Sequence, residues 1–416
     1  MIIFCKRIRF DVNRCIALLL CALIFFSGCG MRGDLALQAQ PEPVSVVVEQ
    51  YPEPPPPEPE AYMPAVRFRY GRSFMEGEAA ALYDRIWKFL SSSAPDNAIP
   101  IGNVLTDAEV LDTIETFKRE NPIYYWAQLS PMGRYILVTS EISPEEIQRQ
   151  RDAIQARAAE ILDPISDGAS PFEIALAIHD ALAVIPYCHD ATQPNRDNLY
   201  GTLVRRRAIC GGYASAFLYL TELAGLESVF LVGASRRGIS HAWNAVRLDG
   251  CWHFVDVTWN RPLGRFDSVF HSYFLIDTQT LLAERYWDEN QFPVMPEPGD
   301  GFQDFFQRMG YSVSGMPPYN AVEIMADIFY RQLLDRPSLP TSAQPVFLEL
   351  RVSDSPELYA EWRALFVRHL FDILRAVHAR AVYEDAGFIV ANLNNVSIDY
   401  NDIAQVLVFY PIIRKT

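Results

Sequence analysis

The sequence has few of the features that build disulfide frameworks or nucleotide sites. Seven cysteines occur among 416 residues, but four fall within the first 29, so only Cys188, Cys210 and Cys251 remain for a folded core. Three cysteines do not make a disulfide framework, because one thiol is left over whichever pair forms. The sequence also has no P-loop, no dinucleotide fingerprint and no EF-hand loop. We therefore expect no nucleotide or calcium cofactor.

Basic tracts are also missing after the N-terminus, and the formal net charge is −15 at pH 7. Phosphate binding needs a basic surface, so this charge balance predicts no nucleic-acid partner. Hydrophobic residues make up 50 % of the chain and aromatic residues 12 %, which is enough to build real cores. A chain of this length predicts two or three folded units.

The only long apolar run lies near the N-terminus, where basic residues precede "CIALLLCALIFF". This run is typical of a signal peptide and too short to span a bilayer. The small residues before Cys29 resemble a bacterial lipobox, in which Cys29 would carry the lipid. We predict a lipoprotein signal peptide over 1–28, a proline-rich tether over 29–66 and anchoring to the membrane at the cell envelope. An ordinary signal peptide with an incidental cysteine is the alternative.

Periodicity and turn signals predict three units in the rest of the chain: a small α/β unit over 67–142, a catalytic domain over 143–300 and a C-terminal α/β unit over 318–416. Ser143 and Ser170 each precede a proline and predict helix starts with capping boxes. A further helix starts near Cys210, and three strand candidates follow it. The predicted fold class is α+β.

Cys210 stands between "RRRAI" and two glycines at the start of that predicted helix. A helix N-terminus stabilises negative charge and so lowers the pKa of a thiol. Free N–H groups of the first turn could also stabilise an oxyanion. Gly211 and Gly212 are expected to leave space for a substrate beside the sulfur. A buried cysteine that only packs in the core is the alternative.

The dipeptide Asp249-Gly250 joins two alternating segments and predicts a type I′ hairpin turn. The pairs that follow from a two-residue loop are Leu248 with Cys251, Trp243 with Asp256, and His241 with Thr258. Asp256 is then diagonal to His241 on one face of the ribbon, within reach of a carboxylate–imidazole hydrogen bond. An acid that holds one ring nitrogen leaves the other to accept a proton from a thiol.

A zinc site is the rival interpretation of the cysteines and histidines. Its candidate ligands are Cys188, His189, Cys210, His241, Cys251 and His253. The hairpin register places Cys251 and His253 on the face opposite His241, and no CxxC or HxxxH spacing is present. We therefore predict no metal ligand in this set. His179, on an apolar helix, is interpreted as a core histidine with satisfied hydrogen bonds.

The segments "YGTLVRRRAICGGYASAF", "SHAWNAVRLDGCWHFVDVTWN" and "HSYFLID" resemble the transglutaminase-like superfamily, whose core is related to papain-like cysteine proteases. The resemblance covers about residues 170 to 280. It implies a helix carrying the cysteine packed on an antiparallel sheet. It also implies Cys210 as nucleophile, His241 as base and Asp256 as the orienting acid. Tyr187 is one candidate for a side-chain oxyanion donor.

The resemblance implies acyl transfer from a carboxamide or peptide carbonyl through a thioester, with no cofactor. The expected partners are protein or peptide substrates at the cell envelope. The sequence does not choose between an amine acceptor, which gives a cross-link, and water, which gives deamidation or peptide cleavage. A non-enzymatic scaffold or binding module that retains the fold is the hypothesis from a different class.

Overall fold

Three sheets, each flanked by helices, follow one another along the chain. The computed structural model describes residues 68–92, 97–102, 104–261, 269–287, 301–336, 338–353 and 355–416. The predicted signal peptide, Cys29 and the whole predicted tether lie outside these residues. Residues Tyr62–Thr416 form one compact unit. Within the described ranges, no helix has both the length and the apolar character needed to cross a membrane.

The first sheet lies in the N-terminal segment and has the antiparallel order β1-β3-β2. Its elements are α1 (Tyr70–Ser73), α2 (Gly77–Ser91), β1 (Ala98–Pro100), α3 (Asp107–Glu120), β2 (Gln128–Met132) and β3 (Tyr135–Thr139). Thr106 caps α3 and forms a capping box with Glu109. Asp107 is the first residue inside the helix. The segment has its own apolar core, centred on Tyr83, Ile86 and Phe117.

The middle segment contains the elements that carry the predicted site. Its helices are α4 (Pro144–Leu162), α5 (Pro171–Ala183), α6 (Cys210–Leu223) and α7 (Thr278–Glu284). Its strands are β4 (Ser228–Ser235), β5 (Ser240–Leu248), β6 (Cys251–Val255), β7 (Phe274–Ile276) and β8 (Arg285–Trp287), in the order β7-β6-β5-β4-β8. Ser170 and Glu173 form the predicted capping box. The Ser143 side chain accepts from the Glu146 N–H, but the Glu146 carboxylate binds Arg149 instead of closing the box.

Helix α6 packs on this antiparallel sheet. Ala214 and Leu218 of the helix contact Phe230 and Ala242 of β4 and β5 in one small apolar cluster. The Asn244 amide on β5 donates to the Ala214 carbonyl at 3.0 Å, which ties the strand to the helix backbone. The predicted helix-on-sheet arrangement around Cys210 is confirmed, and so is the α+β class.

The hairpin between β5 and β6 has the predicted register. Leu248 pairs with Cys251, and Asp249 and Gly250 both have positive φ, at 53° and 84°, as a type I′ turn requires. The predicted pairings of Trp243 with Asp256 and of His241 with Thr258 are both wrong. Strand β6 ends at Val255, because the Asp256 side chain caps a 3₁₀ turn over Val257–Asn260. His241 instead pairs with Gly233 on the other neighbouring strand.

The C-terminal segment forms the third sheet, with the order β10-β13-β11-β9 and β12 paired to β13. Its elements are α8 (Phe305–Met309), β9 (Ser312–Val313), α9 (Ala321–Leu334), β10 (Gln344–Pro345), β11 (Leu348–Val352), α10 (Pro356–Arg368), α11 (Leu370–Tyr383), β12 (Phe388–Asn401) and β13 (Val406–Lys415). Helices α10 and α11 meet at His369. The apolar core of this segment is continuous with that beneath α6.

The type I′ turn supports a first prediction. Gly250 has a φ of +84° with no atom within 4 Å of an added Cβ, so Gly250→Ala costs only backbone conformational energy. We expect the free energy of unfolding to fall by about 1–2 kcal/mol, measured by urea denaturation. Gly168→Ala is the matched control, since its surroundings are equally open without a positive φ. Equal stability of the two variants would contradict the role of the turn.

Candidate active site

Cys210 is the first residue of α6, as predicted, and its side chain is half-buried. The preceding residue, Ile209, makes no side-chain cap hydrogen bond. The first-turn N–H groups of α6 are therefore not occupied by a capping side chain, unlike those of α4 and α5. An uncapped helix start beside a thiol can offer N–H donors to an oxyanion formed at that thiol.

His241 and Asp256 lie together at the end of the hairpin. The His241 Nε2 is 2.7 Å from the Asp256 Oδ2, and both side chains are buried. Because Nε2 is engaged by the carboxylate, Nδ1 is the ring nitrogen left for the thiol. The imidazole lies within electrostatic range of the Cys210 thiol. The structure thus brings together the three residues that the sequence predicted as nucleophile, base and orienting acid.

The charge of each of these groups favours the ionised form of its neighbour. Burial opposes ionisation of Asp256, but His241 and Arg285 outweigh it and hold the pKa of that carboxyl at about 2. Burial likewise disfavours the imidazolium, yet Asp256 and the thiol raise the pKa of His241 to about 9. Burial would raise the pKa of Cys210, but His241 lowers it below its ordinary value. Both shifts favour an ionised thiol beside a protonated imidazole.

Arg285 is a site residue that the sequence reasoning missed. Its guanidinium is fully buried and donates to the Asp256 Oδ2 from Nε at 3.0 Å and from Nη2 at 2.6 Å. The same group lies 4.1 Å from the Trp259 ring and 4.8 Å from the Tyr273 ring. Arg285 reaches Asp256 because β8 pairs with the edge of β4. No local pattern around Arg285 signals this long-range contact.

Gly212 has a different role from the one expected. A Cβ at this position would lie 2.5 Å from the Thr202 Oγ1 and 2.7 Å from the Arg196 carbonyl oxygen. The glycine therefore lets the loop that contains Arg196 pack against α6, and it opens no space for substrate. Gly211 is less crowded, with the nearest atom to its Cβ at 3.4 Å.

Aromatic rings border the thiol–imidazole pair. Trp259 is 37 % exposed and its ring lies 5.9 Å from that of His241. Tyr187 is held beside the start of α6 by a bridge to Ala208 and lies within electrostatic range of the Cys210 thiol. This placement is compatible with Tyr187 as an oxyanion donor, which stays a prediction.

A second polar cluster consists of two histidines and one aspartate. His179, Asp180 and His271 place one ligand atom each within 4.8 Å of one another, the one such trio among the residues that the structure describes. Asp180 Oδ1 is 2.8 Å from the His179 Nδ1 and 3.1 Å from the His271 Nε2. None of the residues weighed as zinc ligands from the sequence belongs to this trio.

The hydrogen bonds of Asn260 show how His179 is protonated. The Asn260 Oδ1 accepts from the Tyr273 N–H at 2.9 Å, so its Nδ2 faces the His179 Nε2 at 3.0 Å. His179 Nε2 must accept this bond, and Nδ1 therefore carries the proton that goes to Asp180. A metal on Nδ1 would require the opposite tautomer, with two donors facing each other. This trio does not fit a metal site, and His179 is the satisfied core histidine that we predicted.

The family model of the Transglutaminase-like superfamily matches residues 156–257, which include Cys210, His241 and Asp256. Kyphoscoliosis peptidase of Homo sapiens and that of Mus musculus are each 28 % identical over 116 residues. Each match covers 24 % of this chain and 18 % of the relative, so the chain spans about a fifth of the curated relatives' length.

Among solved structures, a crystal structure described as a TGase is 16 % identical, with a TM-score of 0.26. That match covers 41 % of this chain and 52 % of the other.

The thiolate–imidazolium pair predicts the pH dependence of thiol alkylation. Cys210 should react with iodoacetamide with a midpoint below about pH 8.5, the ordinary cysteine pKa. In His241→Ala the midpoint should rise above that value, since burial then acts without the imidazolium. Site-resolved mass spectrometry over a pH series measures both midpoints, with glutathione as the free-thiol reference. A wild-type midpoint equal to that of glutathione would contradict the pair.

Proposed function

Residues 156–257 are a transglutaminase-like domain, and on that basis we propose that this chain is a cysteine-dependent acyltransferase acting on protein or peptide amides. The observation that supports the proposal most directly is the buried His241–Asp256 contact of 2.7 Å beside a half-buried thiol at an uncapped helix start. The three groups have the relative arrangement that nucleophilic catalysis at a carbonyl needs.

In the proposed reaction the Cys210 thiolate attacks the carbonyl carbon of a carboxamide. First-turn N–H groups of α6 stabilise the tetrahedral oxyanion. The C–N bond then breaks as the His241 imidazolium gives its proton to the nitrogen, which leaves as ammonia or an amine. A thioester on Cys210 remains. Asp256 keeps its negative charge throughout and holds the ring in one orientation.

The second half-reaction determines which product forms. An amine that attacks the thioester, losing its proton to His241, gives an amide cross-link and restores the thiolate. Water in the same position gives a carboxylic acid, and the reaction is then deamidation or peptide cleavage. The partly exposed Trp259 ring offers an apolar surface beside His241. In this proposal that surface favours amine transfer over free access of water, and hydrolysis is the second candidate function.

The full chain, purified from the membrane fraction, tests the proposal together with the expected anchoring through Cys29. It is incubated with glutamine-containing peptides and a lysine-side-chain amine, and the products are analysed by mass spectrometry. We expect amine incorporation with loss of ammonia, and no product from Cys210→Ala or His241→Ala.

The other outcomes separate the alternatives. Products that carry only the small mass gain of deamidation, or peptide fragments, would identify a hydrolase. Identical results for wild type and Cys210→Ala over a broad peptide pool would contradict enzymatic function and favour a scaffold. Recovery of the chain without any membrane association would contradict anchoring through Cys29.

A further inference from the structure

Three consecutive arginines precede Cys210 in the sequence, and a fourth lies in the loop beside the start of α6. Arg205, Arg206 and Arg207 are exposed. Arg196, in the preceding loop, is fixed directly to the start of α6, because its carbonyl accepts the Ile209 N–H at 2.8 Å and packs on Gly212. Its guanidinium Nη1 donates to the Cys188 carbonyl at 3.2 Å, next to Tyr187.

Arg261 also lies close to Tyr187. It follows the 3₁₀ turn that Asp256 caps, and its Nε donates to the Thr258 carbonyl at 2.9 Å. Its guanidinium carbon lies 4.7 Å from the centre of the Tyr187 ring. Tyr187 is within electrostatic range of Arg196, Arg261 and the Cys210 thiol. Both guanidinium groups are therefore grouped around one aromatic ring next to the nucleophile.

Neither guanidinium is held in a close ion pair within the described residues, although the Asp190 carboxylate lies within electrostatic range of Arg196. Arg196 and Arg261 take part in none of the ion pairs there, and each uses one nitrogen on a backbone carbonyl. Two acids lie in the same loop. The Asp190 carboxylate is occupied by Thr192 and Gln193, and Asp197 is exposed. The remaining N–H groups of the two arginines are available to a carboxylate, which guanidinium binds in a bidentate manner.

From this arrangement we propose that the substrate of the site is an acidic peptide segment, with Asp or Glu side chains next to the reacting carboxamide held by Arg196 and Arg261. The inference rests on the proposed function for the identity of the reacting group. The overall negative charge of the chain does not oppose it, because charges beyond a Debye length of about 10 Å are largely screened. Contact with nearby arginines therefore outweighs the net charge.

The first test uses peptide binding to full-length Cys210→Ala, which needs no turnover. Fluorescence anisotropy compares three peptides that share a central glutamine and differ in flanking Glu, Gln or Lys. We expect the Glu peptide to bind at least about fivefold more tightly than the Gln peptide, with the preference lost at high salt and in Arg196→Gln/Arg261→Gln. The lysine variant of both positions should restore part of the preference. Arg375→Gln, a 62 % exposed arginine in α11, is the control.

The second test uses Cys210 as its own reporter in the wild-type chain. The alkylation rate with anionic iodoacetate is divided by that with neutral iodoacetamide. We expect this ratio to fall about fivefold in the double glutamine variant and to stay unchanged in Arg375→Gln. An unchanged ratio together with equal binding of the three peptides would overturn the acidic-substrate inference. If iodoacetamide labelling were fast in that case, the proposed function would still stand. Slow iodoacetamide labelling would count against the proposed function, and peptide binding would still decide the inference.

A separate observation concerns Glu349, a buried residue of β11 in the C-terminal segment. Its side chain is 3 % exposed and accepts hydrogen bonds from the segment that precedes β7. The His271 N–H donates to its two oxygens at 3.2 and 3.1 Å, the His271 Nδ1 lies 3.0 Å from Oε2, and the Ser272 hydroxyl donates to Oε1 at 3.3 Å. One carboxylate thus fixes two consecutive residues.

The next residue, Tyr273, holds both ends of the turn that carries the orienting acid. Its carbonyl accepts the Asp256 N–H at 2.9 Å, and its N–H donates to the Asn260 Oδ1 at 2.9 Å. Its ring packs against Trp259 and lies beneath Arg285. We infer that Glu349 is a positioning residue for Asp256, acting through His271 and Tyr273. The C-terminal segment is then part of the catalytic apparatus.

Glu349→Gln tests this role independently of any peptide substrate. The readout is the pH midpoint of Cys210 alkylation, measured alongside the thermal unfolding temperature. We expect a raised midpoint and a rate at pH 6 about fivefold below wild type, with Glu349→Asp intermediate. Arg351→Gln is the matched control, because Arg351 is buried on the same strand and pairs with Asp304 at 3.1 Å. Equal midpoints in wild type and Glu349→Gln, or the same shift in Arg351→Gln, would overturn the positioning role.

Discussion

A single buried carboxylate, that of Asp256, organises the site. An isolated carboxylate this deeply buried would cost several kcal/mol in lost hydration, and it would be protonated instead. Here Arg285 supplies two charge-assisted hydrogen bonds and His241 a third, while the Trp259 N–H lies 3.3 Å from the other oxygen. These contacts keep the carboxyl ionised. Every other property of the site depends on that negative charge.

The charges then alternate along a line of four groups. Arg285 is positive, Asp256 negative, the His241 imidazolium positive and the Cys210 thiolate negative. Without Arg285, the carboxylate and imidazolium would already neutralise each other, and less positive charge would be left to favour the thiolate. With Arg285 the four groups together are neutral, which suits a buried site in which net charge is expensive. Arg285 thus favours ionisation of the Cys210 thiol without contacting it.

The sequence predicted the parts of the site that depend on local rules. Asp249-Gly250 specifies a type I′ turn, and a two-residue turn fixes the register that sets His241 near Asp256. The local sequence around Cys210 likewise predicted that this cysteine begins a helix. The extension of β6 through Thr258 was wrong, because the Asp256 side chain competes for the backbone and starts a 3₁₀ turn.

The remaining features depend on contacts between distant parts of the chain. Gly212 looked like space for a substrate, yet its neighbours are Thr202 and the Arg196 carbonyl, which only the folded loop brings there. Arg285 lies 29 residues beyond Asp256. Glu349 lies 78 residues beyond His271. No periodicity or turn signal encodes such pairs, since each is fixed by the packing of elements that pair out of sequence order.

The matched family segment ends at residue 257, one residue beyond Asp256. That segment contains Cys210, His241 and Asp256, the three residues of the proposed catalytic site. The groups that hold Asp256 ionised and oriented (Arg285 and Tyr273) lie after it, and Glu349 belongs to a different sheet. Without Arg285, the Asp256 carboxylate would lose the positive charge beside it. Without Tyr273, the Asp256 N–H would lose the carbonyl that accepts its hydrogen bond. The residues that bear on the charge and orientation of Asp256 therefore extend well beyond the segment that the family model matches.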